Sequence, residues 1–171
     1  MADVFELLRA EHAEVEKMLA VLDENSEDAA GAGDDEWVAA ARASVARWLV
    51  IESFRHEAVK EQFFWPAVRA NLPDGDEIAG QARAHERQMV ATLARLHEAD
   101  PATSQFDQMI DAASSLVRYQ IEFEETEIWP KLRAAMRPGQ ARRLAQELRN
   151  AGNLSPAPQV ATLATHGGQR V

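Results

Sequence analysis

With 171 residues, 46% of them apolar and 27% charged, the chain is long enough for one globular domain with a true core. Its 18 basic and 28 acidic residues leave a formal charge of −10, which speaks against nucleic-acid backbones and anionic membranes as partners because both would repel it. The absence of cysteine excludes disulfides, thiolate ligands and thiol nucleophiles, and it makes a reducing cytoplasm the expected compartment.

The opening Met-Ala-Asp-Val-Phe-Glu has neither a basic start nor an apolar signal core, so no leader is expected. Nor does any apolar run approach the roughly 20 residues of a membrane span. Helix signals are dense and strand signals nearly absent. The first predicted helix covers Val4–Glu24, with Phe5, Leu8, His12, Val15, Leu19 and Leu22 along one face at the spacing of a buried stripe. The polar stretch Asn25–Asp35, with Gly31 and Gly33, is expected to be a flexible connection.

A second helix is predicted over Glu36–Ala70, kinked or ended near Pro66, with His56 on a stripe of Val45, Leu49, Glu52, Val59 and Phe63. Asn71–Gly75 reads as a turn. The third helix, Asp76–Glu98, carries acidic residues in its first turn and a stripe of Ile78, Ala82, His85, Met89, Thr92 and Leu96. After Asp100-Pro101, Thr103 or Ser104 can cap a fourth helix running to Met136. A short basic amphipathic helix follows over Gln140–Asn150. The pattern predicts an up-down antiparallel four-helix bundle over residues 1–136, a short C-terminal helix over 137–151 and a flexible tail over 152–171.

Three histidines on three helices, each in the place of an apolar residue, suggest a common focus. The second and fourth helices are also versions of one element. Residues 55–70 align with residues 119–134 without a gap, pairing Glu61 with Glu125, Trp65-Pro66 with Trp129-Pro130, and Arg69-Ala70 with Arg133-Ala134. In the same alignment His56 faces Gln120 and Lys60 faces Glu124.

On these residues the chain resembles the hemerythrin-like family, often described as HHE cation-binding domains, over about Val4–Met136. The resemblance implies a non-haem diiron centre held by a histidine from each of the first and third helices and a His-x-x-x-Glu pair from each of the second and fourth. Carried over by position, His12, His56, His85 and Glu124 would be ligands, while Lys60 and Gln120 stand where the family has a glutamate and a histidine.

Lys60 reverses a charge at the centre of such a site. Two unit charges about 4 Å apart interact by roughly 4 kcal/mol at an effective dielectric near 20, and a dication doubles that. Three arrangements follow. Glu61 or Glu57 can take over the missing carboxylate and keep a dinuclear site; His12, His56, His85 and Glu124 can hold one ion; or Lys60 can fill the metal's place and pair with Glu124 in a metal-free bundle.

Glu125 is expected to be a solvated flank residue, Trp65 and Trp129 packing anchors, Tyr119 a boundary residue, and the basic run 137–149 a solvated helix face. No nucleophile–base pair or phosphate loop is visible, which gives hydrolysis and phosphoryl transfer no support. The resemblance implies a non-haem iron protein that binds or senses a small ligand such as dioxygen, nitric oxide or peroxide, or handles iron. The alternative is a degenerate, metal-free bundle acting as an interaction or regulatory module.

Overall fold

The structure, a computed structural model, describes residues 2–28, 35–101 and 103–152. These residues form α1 (Val4–Asp28), α2 (Asp35–Val59), α3 (Trp65–Asn71), α4 (Gly75–Glu98), α5 (Ser104–Phe123), α6 (Trp129–Ala135) and α7 (Pro138–Gly152). No strand occurs among the described residues. No helix among them is long and apolar enough to cross a membrane. The expected C-terminal tail, from residue 153, and residues 29–34 of the expected connection lie outside the described residues.

Pro66 and Pro130 neither end nor simply kink their helices. A single π turn, Lys60–Phe64, joins α2 to α3, and a second, Glu124–Ile128, joins α5 to α6 at the same offset of 64 residues. In an unbroken α-helix the proline ring would press on the carbonyl four residues back, and its missing N–H would leave that carbonyl unpaired. Widening the preceding turn relieves this: the Trp65 N–H donates five residues back to the Lys60 carbonyl, and the Trp129 N–H does the same to Glu124. The extra residue shifts the helix phase, so Lys60, Phe64 and Trp65 are all buried, as are Glu124, Ile128 and Trp129.

The turn into α4 depends on Gly75. A Cβ there would stand 2.5 Å from the Val68 carbonyl oxygen and 2.7 Å from the Arg69 Cα, closer than side chains tolerate. At the start of α5, Thr103 has the extended backbone of an N-cap, but its hydroxyl donates back to the Asp100 carbonyl rather than accepting from the helix.

The packed helices form a helical bundle with two apolar clusters. One gathers Val4, Phe5, Leu8, Phe64, Trp65, Val68, Ile128, Trp129 and Leu132 with Leu144 and Leu148 of α7. The other gathers Leu19, Leu22, Leu49, Met89, Leu93, Phe106, Ile110 and Val117. The C-terminal helix is therefore built into the same core as α1 and α3. Between the clusters, every long helix contributes buried or half-buried polar side chains: His12 from α1, His56 and Glu57 from α2, Glu86 from α4, Gln120 from α5, with Lys60 and Glu124 from the π turns.

Candidate metal centre

A polar layer inside an apolar bundle is tolerable only if its groups are paired or liganded. Lys60 is 1% exposed, and its Nζ donates to Glu124 Oε1 at 2.5 Å and to Glu57 Oε1 at 2.9 Å, with Glu86 Oε1 at 3.4 Å. Gln120 Nε2 donates to the same Glu124 oxygen at 2.7 Å. The Trp65 indole N–H donates to Glu86 Oε1 at 2.9 Å, and its ring lies 5.4 Å from the Lys60 ammonium. The tryptophan expected to be a packing anchor thus also closes the polar layer, because the π turn rotates it inward beside Lys60.

These contacts set the charge states. Burial favours losing the Lys60 proton, but Glu124, Glu57 and Glu86 outweigh it and push its pKa above the usual lysine range. Burial likewise works to raise the Glu124 pKa, yet the Lys60 ammonium holds it below the ordinary carboxylate value. Glu57 is pushed well up, chiefly by burial, with the Glu86 and Glu124 charges adding to the shift against the pull of Lys60. One ammonium and one ionised carboxylate therefore face a carboxyl that favours its proton.

Beside this cage stand two imidazoles, each braced from outside. His12 Nδ1 is 2.9 Å from Glu125 Oε1, and His56 Nδ1 is 2.8 Å from Glu11 Oε2. Burial would raise the Glu11 pKa, but the His56 hydrogen bond and nearby positive charge pull it below the usual value, so this carboxylate is ionised and can only accept. Burial lowers the His12 pKa and favours the neutral ring. Both pairings assign the proton to Nδ1 and leave the Nε2 lone pair facing inward.

The inward atoms lack protein partners. His56 Nε2 and Glu124 Oε2 are buried with no hydrogen bond, and His12 Nε2 lies 3.7 Å from Glu124 Oε2, beyond hydrogen-bond length. Ligand atoms of His12, His56 and Glu124 all come within 4.8 Å of one another. They share the wall of a cavity of about 30 Å³ with Lys60, Gln120, Glu57, Ser53 and the apolar Val15, Met89, Val117 and Ile121. Further out, Trp129 stacks on His12 with centroids 5.1 Å apart, and the two histidine rings meet edge-on at 5.6 Å.

Of the residues expected from sequence, His12, His56 and Glu124 converge, with Lys60 and Gln120 against them. His85 and Glu61 do not join the group. His85 is half-buried, its ring edge-on to Tyr119 at 4.9 Å and to Phe123 at 5.4 Å. Glu61 lies on the surface in an ion pair with Arg83 at 3.0 Å, so the carboxylate that turns inward near Lys60 is Glu57.

Glu86, absent from the expected set, faces the centre instead of His85. The buried face of α4 runs Ala82, Glu86, Met89, Leu93, Leu96, whereas the stripe read from sequence ran Ala82, His85, Met89, Thr92, Leu96. Both alternate threes and fours. Leu93, more apolar than Thr92, was the signal for the true phase. Glu125, expected to be a solvated flank, is the partner of His12, and Tyr119 is the expected boundary residue at 49% exposure.

Comparison with known proteins gives one match: the family model described as hemerythrin HHE cation binding domain matches residues 3–132, from α1 into α6. No curated protein and no solved structure matches the chain.

Proposed function

This chain belongs to the hemerythrin HHE cation-binding domain family, and on that premise we propose that it is a non-haem iron protein holding one ion through His12, His56 and Glu124. The up-down order of four long helices expected from sequence is part of this reading, since it lets facing helices contribute ligands to one layer. The observation that carries the proposal is the convergence of His56 Nε2 and Glu124 Oε2, both buried and unpartnered, on His12 Nε2. Two imidazoles and one carboxylate are a donor set suited to Fe(II), and carboxylates behind both imidazoles orient such ligands.

The same residues do not fit two ions. The Lys60 ammonium lies within 3.4 Å of the Glu57, Glu86 and Glu124 oxygens, where a second cation would have to sit. No step is therefore drawn through a metal pair.

When bound, one iron ion supplies open coordination positions for a small ligand such as dioxygen, nitric oxide or peroxide. The protein's own part is selection and shelter. A cavity of about 30 Å³ has room for one small molecule, a water needing roughly 10–15 Å³. Val15, Met89, Val117 and Ile121 keep its wall partly apolar, while Lys60 brings a proton and a positive charge to the same wall.

The test is metal analysis of protein purified after expression in iron-supplemented medium, with its visible spectrum. One ion per chain is expected, lost in His12→Ala and in His56→Ala and retained in His85→Ala. Metal-free protein, or equal loss in His85→Ala, would overturn the assignment.

A further inference from the structure

The cavity beside His12, His56 and Glu124 is lined mostly by buried side chains, and His12 and Glu124 are only 6% and 0% exposed. His56 is different, at 16%. It also lines a second and larger space, a groove of about 460 Å³ between α1, α2 and α7 whose apolar wall includes Leu7, Ala10, Met18, Val59 and Leu148. Val15 and His56 are the two side chains common to both spaces. The imidazole therefore stands as a partition. Its Nε2 has no hydrogen bond, and its Nδ1 is held at 2.8 Å by Glu11, which lies on the groove wall and is 43% exposed.

The third wall of the groove is α7. The Arg55 Nη1 donates to the Gly152 carbonyl at 2.9 Å and so ties α2 to the end of α7 across it. That helix, Pro138–Gly152, lies beyond the residues 3–132 that match the family model, so the groove is built with an element outside the matched domain.

We propose that this groove is the access route by which a metal ion reaches the cavity, with His56 as its swinging door and Glu11 as the latch. Turning the ring breaks one polar contact, the bond to Glu11, because Nε2 has none to lose. The ring then rotates into the groove, and the space it leaves joins groove to cavity past Val15. The carboxylates of Glu11, Glu14 and Glu52 outnumber the guanidinium groups of Arg55 and Arg149 along the groove, which favours a cation as the traveller. What travels rests on the one-ion reading above; the door itself needs no metal. An ion taken up by His56 Nε2 pins the ring and closes the route behind it.

The experiment has two arms, both on the full chain. In the first, metal-free protein is treated with diethyl pyrocarbonate, which acylates unprotonated imidazole nitrogen, and each histidine is followed by peptide mass spectrometry. Glu11→Ala should speed acylation of His56 by about tenfold, the worth of one hydrogen bond to a charged group. Loss of the carboxylate alone would make the ring a weaker nucleophile and slow it, so the direction is diagnostic. Ala10→Leu and Ala10→Trp, at an exposed position on the groove wall, should slow His56 progressively. His85, away from the groove, is the internal reference, and Ile51→Trp, exposed and off the groove, should change neither histidine.

In the second arm, Co²⁺ loading and its removal by a chelator are followed in stopped flow by the visible bands of the ion. Ala10→Trp should slow both by the same factor, about tenfold, and leave affinity unchanged, since an obstacle in a route raises the barrier equally in both directions. Unchanged His56 acylation in Glu11→Ala or Ala10→Trp refutes the door, and unchanged cobalt rates in Ala10→Trp refute the route, as does equal slowing in Ile51→Trp. If no cobalt binds while the acylation order holds, the one-ion reading fails and the door stands. If cobalt binds through His12 and His56 but neither arm responds, the route falls and the one-ion reading stands.

Discussion

The carboxylates behind the two imidazoles offer a sensitive test of the site. Replacing Glu125 with Ala removes the acceptor 2.9 Å from His12 Nδ1; replacing Glu11 with Ala removes the one 2.8 Å from His56 Nδ1. Neither carboxylate is itself among the converging ligand atoms, so any effect on metal must pass through the ring. Without its partner each imidazole is free to rotate and to carry its proton on Nε2, where it cannot bind metal. Such outer partners typically contribute 10–100-fold in affinity, or about 1.4–2.8 kcal/mol.

The structure orders the two variants. The Glu125 side chain is 27% exposed and braces a histidine that is 6% exposed, whereas Glu11 is 43% exposed and braces one that is 16% exposed. Screening is weaker at the first pair, so Glu125→Ala should fall near 100-fold and Glu11→Ala near 10-fold. Glu125→Gln keeps an acceptor oxygen and should lose less than Glu125→Ala. Competition titration against a chelator of known affinity measures the loss, and imidazole ¹⁵N shifts of the metal-free protein report the tautomer. Affinity within twofold of the original in both alanine variants, with Nε2 still unprotonated, would refute the argument that these carboxylates set the histidine proton.

Trp65→Phe keeps the ring but removes the donor to Glu86, and should destabilise the fold by about 1.5–3 kcal/mol, read from urea denaturation. Leu144→Ala in α7 should cost about 2–5 kcal/mol while leaving metal affinity unchanged, because Leu144 lies in the cluster with α1 and α3 and away from the polar layer; a cost under 0.5 kcal/mol would mean α7 is not part of the core. In metal-free protein, His12 has a folded pKa below its reference of 6.5, so the unfolded chain binds the proton more readily and stability should fall as pH drops below 6.5 toward that folded value. His12→Gln should flatten this limb of the thermal midpoint against pH. Glu57 has the opposite sign: its raised folded pKa gives stability present below 4.5 and lost as pH rises through the folded value, and Glu57→Gln should remove that loss.

Much of this centre was legible in the chain because helical periodicity and an internal repeat are local signals. The stripe Phe5, Leu8, His12, Leu19, Leu22 is buried as expected, and the gapless alignment of residues 55–70 with 119–134 located both Lys60 and Glu124. What escaped is what periodicity does not resolve. On α4 two alternations of threes and fours share Ala82, Met89 and Leu96, and choosing His85 over Glu86 turns the expected buried face by only about 40° while exchanging two side chains that stand about 100° apart. The π turns escaped because a proline announces a break without saying how it is accommodated. The bracing pairs His12–Glu125 and His56–Glu11 span 113 and 45 residues, so no spacing rule along one helix could find them.

The repeat also explains why a charge reversal at one position need not destroy the site. Lys60 and Glu124 are equivalent residues, each opening a π turn and each followed by Trp-Pro. Where both repeats carry a carboxylate at this position, two negative charges approach at the centre and need cations to hold them. Here one repeat supplies the anion and the other the cation, and they meet at 2.5 Å. Removing one partner of such a buried pair strands the other at a cost of about 3–5 kcal/mol, so neither Lys60 nor Glu124 can change alone without replacing the lost charge. The pairing uses one Glu124 oxygen and leaves the other facing His12 and His56. A substitution that fills one cation position therefore preserves the carboxylate that the remaining one requires.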